Sequence, residues 1–136
     1  MPFAVFRCDA TRTMGGGHVM RSLALARAME RDGWRTAFAV CDGAVDMAPA
    51  LAEPGREVRA GFNDREREAA NLRAAWPGGC DLIVIDHYGW DATIEETLGD
   101  FALRRMVFDD LVDRPHACDV LLDQTLGRQP EDYAGL

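Results

Sequence analysis

Short apolar runs alternate along the chain with segments whose apolar residues recur at helical spacing. The Leu-Ile-Val-Ile core of the segment 81–85 has the continuous hydrophobicity of a strand that is buried on both faces of a parallel sheet. The segment 18–32 places Val19 and Leu23 on one helical face, and Gly33 supplies a stop. Strands are predicted at 2–8, 35–41, 57–60, 81–85, 105–108 and 120–122, and helices at 18–32, 45–52, 64–76 and 92–103.

The alternation of strand and helix predicts one α/β domain over residues 1–136, a Rossmann-like parallel sheet with helices on both faces. The polar segment 126–136 is predicted to be a linker. Ligands of such sheets bind beyond the carboxyl ends of the strands, where polar residues follow three of the predicted strands. One rim should therefore hold Asp9, the loop 15–17, His18, Asp86, His87, Tyr88, Asp109 and Asp110.

Composition excludes several classes of function. The chain carries a formal net charge of −8, which argues against nucleic acid and anionic membranes as partners, because both require a basic surface. All 15 basic residues are arginine, so a Walker-type phosphate loop and a Schiff-base lysine are excluded. The single serine, Ser22, lies outside any GxSxG motif, which excludes a serine hydrolase.

The four cysteines show no CxxC pair and no zinc-like spacing. Scattered cysteines of this kind are typical of free thiols in a reducing cytoplasm. The apolar start of the chain is too short for a signal peptide, and no apolar run reaches the ~20 residues that span a bilayer. A cytoplasmic location is expected.

The stretch 14–21, Met-Gly-Gly-Gly-His-Val-Met-Arg, is the strongest candidate for chemistry. Glycines allow close backbone approach to a ligand, and a helix N-terminus favours negative charge. At that terminus the helix dipole favours the neutral imidazole that a general base requires, and the flanking glycines should leave the His18 ring accessible. A dinucleotide loop remains an alternative, although Met20 replaces its third glycine, and so does a tight turn without a ligand.

The other rim residues also have structural interpretations. A metal site is conceivable around His87, but no HxH or HExxH spacing is present. Asp86 could cap a loop, and Tyr88 could be a packed ring. Asp109 and Asp110 could cap a turn or pair with an arginine such as Arg7 or Arg21.

Three motifs in order resemble a known family. They are Phe-Arg-Cys-Asp at 6–9 with Gly-Gly-Gly-His-Val-Met-Arg at 15–21, Ile-Asp-His-Tyr-Gly at 85–89, and Phe-Asp-Asp at 108–110 with the segment 116–124. Together they are similar to the UDP-sugar hydrolase family of pseudaminic acid biosynthesis, over nearly the whole chain.

The resemblance implies the N-terminal half of a GT-B-type enzyme that uses water, without metal or cofactor, to release UDP with inversion at the anomeric carbon. Its implied substrate is UDP-2,4-diacetamido-2,4,6-trideoxy-β-L-altropyranose. His18 matches the family's catalytic histidine and Tyr88 its sugar-pocket tyrosine. The remaining predicted substrate-binding residues are Asp9, Gly15, Gly16, Gly17, Arg21, Asp86, His87 and Asp109.

The family continues into a second, nucleotide-binding domain that has no counterpart in these 136 residues. One half of a site excludes water poorly, so weak activity or none is expected of this chain alone. A non-catalytic module that binds sugar nucleotides or associates with itself is one alternative function. A glycosyltransferase domain that uses another acceptor is a second.

Overall fold

A computed structural model describes residues 1–13 and 15–136; the first residue of the glycine-loop motif, Met14, lies outside the described residues. Within them, six strands form one sheet in the order β3-β2-β1-β4-β5-β6, and every neighbouring pair is parallel. The predicted α/β class is confirmed. The strands are β1 Phe3–Cys8, β2 Arg35–Ala39, β3 Glu57–Arg59, β4 Cys80–Asp86, β5 Ala102–Phe108 and β6 Val120–Leu122.

Helices cover both faces of the sheet, as predicted. They are α1 Gly17–Arg31, α2 Ala44–Met47, α3 Glu68–Ala75 and α4 Ala92–Thr97, with 3-10 turns at Pro49–Ala52, Arg65–Arg67 and Pro130–Tyr133. Residues that alternate along β1 and β4 belong to two different cores, because successive side chains of a strand point to opposite faces. The α1 core contains Phe6, Val19, Leu23, Ala26, Phe38 and Val84, and the α3/α4 core contains Val5, Leu72, Trp76, Ile83, Ile85, Ile94 and Leu98.

Three predicted helices are shorter or less regular than expected. The segment 45–52 divides into α2 and a 3-10 turn, because Pro49 cannot donate the backbone hydrogen bond that a continuous helix needs. The segment 64–76 begins with a 3-10 turn capped by Asp64. The helix predicted at 92–103 ends at Thr97, and its last residues belong to β5 or to the turn before it, where Gly99 has a φ of 52°.

The order of the strands puts the predicted rim at the centre of the sheet. Strand β1 pairs with β4, so that Cys8 lies opposite Asp86, and β4 pairs with β5, so that Ile85 lies opposite Val107. The chain proceeds outward from β1 through β2 and β3, then from β4 through β5 and β6. Polar residues that follow β1, β4 and β5 therefore meet beside the crevice where an open α/β sheet binds its ligand.

The predicted linker 126–136 includes the last 3-10 turn, and this turn contacts the rim. The Tyr133 hydroxyl lies 2.7 Å from an Asp123 carboxylate oxygen and 3.3 Å from one of Asp109. Burial and these two carboxylates raise the pKa of Tyr133 well above its ordinary value. The end of this segment is thus attached to the domain by hydrogen bonds.

The contact between α1 and the sheet should dominate the stability of the fold. Leu23 is fully buried in the α1 core. We expect Leu23→Ala to lower the free energy of unfolding by about 2–5 kcal/mol, because the truncation leaves a cavity. On the outer face of α1, Met20 is 48% exposed. Met20→Ala should therefore change the free energy of unfolding by less than about 0.5 kcal/mol. Urea unfolding of both variants is the measurement, and equal losses would contradict this packing.

Candidate functional site at the carboxyl edge of the sheet

The Asp86 carboxylate is fully buried at the end of β4 and is bound by two side chains of α1. Arg21 donates from Nε to Oδ2 at 2.5 Å and from Nη2 to Oδ1 at 2.6 Å, a two-pronged ion pair. His18 Nδ1 hydrogen bonds to the same Oδ1. Because the carboxylate accepts, Nδ1 carries the proton, and Asp86 fixes both the tautomer and the orientation of the imidazole.

The other nitrogen of the His18 ring is the one left for a ligand. Among the described residues, none hydrogen bonds to His18 Nε2. The ring lines a cleft of about 240 Å³ together with Gly17, Arg21, Tyr88 and Asp110. A ring nitrogen with a free lone pair, on an imidazole held by a carboxylate, is the geometry of a general base.

The expectation that His18 is accessible was wrong in degree, because the residue is only 6% exposed. Glycines flank it in sequence, but the Tyr88 ring covers it from the loop after β4. The two ring centroids lie 4.4 Å apart at an interplanar angle of 83°, an edge contact. The exposed remainder of the residue borders the cleft that it lines with Tyr88.

Four other side chains form a closed loop of contacts with His18 around this cleft. We call these five residues, His18, Asp86, Arg21, Asp110 and Tyr88, the His18 cluster. The Tyr88 hydroxyl donates to Asp110 Oδ2 at 3.2 Å, and that oxygen lies 3.8 Å from Arg21 Nη1. Arg21 and His18 both bind Asp86, and His18 contacts Tyr88. Burial and the hydrogen bond to Asp110 raise the pKa of Tyr88, so its hydroxyl stays protonated and donates.

A second histidine–aspartate pair lies on the opposite face of the sheet. His87 Nε2 donates to Asp9 Oδ2 at 2.8 Å, while His87 Nδ1 accepts from the backbone N–H of Gly89, also at 2.8 Å. Gly89 is required here, since a Cβ on it would lie 2.8 Å from His87 Cε1. Both nitrogens of His87 are thus occupied within the chain, unlike those of His18.

Asp9 belongs to a buried ion network that also contains Arg7 and Glu68. The Arg7 guanidinium donates to Asp9 Oδ1 and to Glu68 Oε2, each at 2.6 Å, and all three residues are at most 4% exposed. Partial burial would raise the pKa of Asp9, but the hydrogen bond from His87 and the charge of Arg7 outweigh it and lower that pKa to about 2. This network forms part of the wall of a larger cavity of about 510 Å³.

The Asp109 side chain points into the domain, away from the His18 cluster. It is 1% exposed and accepts hydrogen bonds from Arg114 at 3.2 Å, from the backbone of Leu111 at 3.2 Å and from His116 Nε2 at 3.3 Å. His116 Nδ1 lies 2.8 Å from the buried carboxylate of Glu95. An imidazole between two carboxylates can donate from both nitrogens only when it is charged, so these contacts favour the charged form of His116 and hold the loop between β5 and β6.

The glycine loop gives its three members different positions. The Gly15 N–H donates to the Thr11 carbonyl at 2.7 Å, and its φ of 70° is one that favours glycine. Gly16 is the N-cap of α1, and Gly17 lines the cleft. Among residues 1–13 and 15–136, no side chain caps this end of α1, and its first turn contains no acidic residue, so an anion would find its positive end uncompensated.

Several other features bear on what the site could bind. Within residues 1–13 and 15–136, no group of three or more histidine, cysteine or acidic side chains is placed to hold a metal ion. All four cysteines of this described part are free thiols, and burial raises the pKa of Cys41, beside Asp9, to about 11. No helix in these residues has the length and hydrophobicity that crossing a bilayer requires.

Sequence reasoning did not single out some of the residues that build the site. Of the two aspartates that follow β5, only Asp109 is predicted to bind substrate, although no periodicity distinguishes it from Asp110. Glu95 sits on α4 among other acidic residues, so its burial against His116 has no signal in the sequence. Arg7 pairs with Asp9 and Glu68 rather than with Asp109 or Asp110, whereas Arg21 does contact Asp110.

The fold and site together define an α/β domain whose sheet edge carries a histidine oriented by a buried carboxylate. No protein-family model matches the sequence. Over 133 residues, the chain is 28% identical to UDP-2,4-diacetamido-2,4,6-trideoxy-beta-L-altropyranose hydrolase of Campylobacter jejuni subsp. jejuni serotype O:2. The match covers 97% of this chain but 45% of that hydrolase, so the chain spans less than half the length of its relative. The resemblance predicted from the motifs is confirmed.

The cluster around His116 predicts a dependence of stability on pH. Burial alone lowers the pKa of His116, but the hydrogen bond and charge of Glu95, with the charge of Asp109, raise it above its ordinary 6.5. The charged form therefore stabilises the fold in full below about pH 6.5, and this contribution is lost as pH rises through the raised pKa. Arg114 is the facing cation that opposes the shift.

The measurement is urea unfolding of the chain and of His116→Gln at intervals from about pH 6 to about pH 9. We expect the difference in unfolding free energy between them to shrink as pH rises. Subtracting the variant removes the contribution of every other titrating group. A difference that stays constant over this range would show that folding does not raise the pKa of His116.

Proposed function

We propose that this domain takes part in the hydrolysis of a UDP-linked 2,4-diacetamido-2,4,6-trideoxy sugar, releasing UDP with inversion at the anomeric carbon. The observation that carries the proposal is the His18 cluster, in which Asp86 holds Nδ1 of an imidazole that lines a cleft and whose Nε2 has no partner among the described residues. The named relative, a hydrolase of such a UDP-sugar, is the second support.

His18 is the base in this proposal. Its Nε2 takes a proton from a water molecule, whose oxygen attacks the anomeric carbon as the bond from that carbon to the diphosphate oxygen breaks. The imidazolium that forms is stabilised by the buried Asp86 carboxylate, which accepts from Nδ1. The two-pronged ion pair from Arg21 holds that carboxylate in place.

The leaving diphosphate would be held at the N-terminus of α1. The backbone N–H groups at its first residues have no capping side chain, and the dipole of a 15-residue helix favours an anion there. Gly16 and Gly17 allow close approach, whereas the Gly15 N–H is already bound to Thr11. UDP is a good leaving group, so we propose that neither a metal nor another cofactor is required.

The sugar would lie against Tyr88, which is 39% exposed beside the cleft. Asp9, His87 and Asp109 remain proposed substrate-binding residues. Their chain contacts suggest that they act by shaping the rim, because each is already hydrogen bonded within the domain.

A second domain would complete the site, as proposed from the resemblance to a GT-B-type enzyme. Apolar side chains at the β6 end of this domain are available to contact one, because Leu122 is 38% exposed and Leu126 fully exposed. The 136-residue chain alone should bind the UDP-sugar weakly and release UDP slowly. A cytoplasmic location is consistent with the four free thiols.

Substitution of His18 tests the role of the base. We expect His18→Asn to lower the rate of UDP release by about 10²–10⁴-fold, since it removes the group that accepts the proton. The measurement is single-turnover release of UDP, with protein in excess over UDP-2,4-diacetamido-2,4,6-trideoxy-β-L-altropyranose. Asp100→Ala is the control, because this fully exposed side chain lies at the opposite edge of the sheet.

Three results would contradict the proposal in different ways. Equal UDP release by His18→Asn and the unchanged chain would remove His18 as the base. Tight binding of the UDP-sugar without any release would favour a non-catalytic module. Release that requires an added acceptor sugar would favour a glycosyltransferase, and the anomeric configuration of the first product, observed by proton NMR, tests inversion.

A further inference from the structure

We propose that Asp110 is a positioning residue, which holds Tyr88 against the His18 imidazole and so helps Asp86 to orient that ring. The effect of Asp110 on the reaction rests on the proposed function. Its effect on the geometry of His18 does not, and the two can be measured separately.

The contacts of Tyr88 explain why it needs Asp110. Tyr88 is 39% exposed, so packing constrains its ring only in part. Its hydroxyl donates to Asp110 Oδ2 at 3.2 Å, at the end of the phenol farthest from the backbone. The edge contact between Tyr88 and His18 therefore depends on a hydrogen bond that restrains the tip of the phenol.

Asp110 also contacts the other side of the cleft. Its Oδ2 lies 3.8 Å from Arg21 Nη1, while the Nε and Nη2 atoms of Arg21 remain on Asp86. Asp110 thus joins the two walls of the cleft, one from α1 and one from the loop after β4. Without the Asp110 carboxylate, the loop of contacts in the His18 cluster would be broken between Tyr88 and Arg21.

The environment of Asp110 argues against a role in stabilising the fold. Its Oδ1 is buried and has no hydrogen-bond partner among the described residues, an arrangement that is costly for a carboxylate oxygen. The backbone of this segment has its own partners, since Arg128 donates to the Asp110 carbonyl at 3.3 Å. A side chain selected for stability alone would not place an acceptor there.

The test that needs no substrate is NMR of the His18 imidazole in three variants, Asp110→Ala, Tyr88→Phe and the double variant. We expect Asp110→Ala and Tyr88→Phe to shift the His18 ring resonances in the same direction, because each removes the same hydrogen bond. The double variant should shift them no further than Asp110→Ala does, the non-additivity expected of one interaction. Asp100→Ala, a matched change at a fully exposed aspartate, should leave them unchanged.

Kinetics and stability complete the experiment. If the domain releases UDP, Asp110→Ala should reduce single-turnover release about ten- to a hundredfold, because the base is misplaced. In urea unfolding, Asp110→Asn should have a midpoint equal to or higher than that of the unchanged chain. Unchanged His18 resonances in Asp110→Ala, or additive shifts in the double variant, would overturn the proposal. Coupled NMR shifts together with equal UDP release by His18→Asn and the unchanged chain would leave Asp110 as a positioning residue and remove His18 as the base.

Discussion

The burial of one carboxylate, that of Asp86, is the constraint on which the site depends. A fully buried charge is stable only when it is paired and hydrogen bonded, so Asp86 requires Arg21 and His18 in fixed positions. Both partners lie on α1. A rotation or shift of α1 would therefore separate them from Asp86 and leave its charge unpaired beside an apolar core. The cost of removing one partner of such a buried pair is typically about 3–5 kcal/mol.

Strand pleating then separates the two histidine–aspartate pairs. Asp86 faces α1 and meets His18, while the next residue, His87, faces the other side and meets Asp9. The two pairs look alike in sequence but differ in chemistry. On His18, the nitrogen that does not bind the aspartate, Nε2, is left for a ligand. On His87 the corresponding nitrogen, Nδ1, accepts from the backbone N–H of Gly89. This difference makes His18 the stronger candidate for proton transfer.

The sequence predicted the fold and the location of the rim because both depend on local patterns. The strand after Gly79 has an apolar core at 82–85, and a parallel sheet brings the residues after β1, β4 and β5 together. It did not predict the burial of His18, because the covering ring of Tyr88 is 70 positions away. The choice between Asp109 and Asp110 depended on a loop conformation that His116 and Arg114 impose from farther along the chain.

The pairing of distant segments has a consequence for how the protein acquires its site. His18 and Asp86 are 68 residues apart, and Asp9 and His87 are 78 apart, so neither pair forms until β1 and β4 are adjacent. A nascent chain that has completed only β1, α1, β2 and β3 holds its histidine without a partner. Long-range parallel pairing of this kind is intrinsically slow. The site therefore assembles only when β1 and β4 pair at the centre of the sheet.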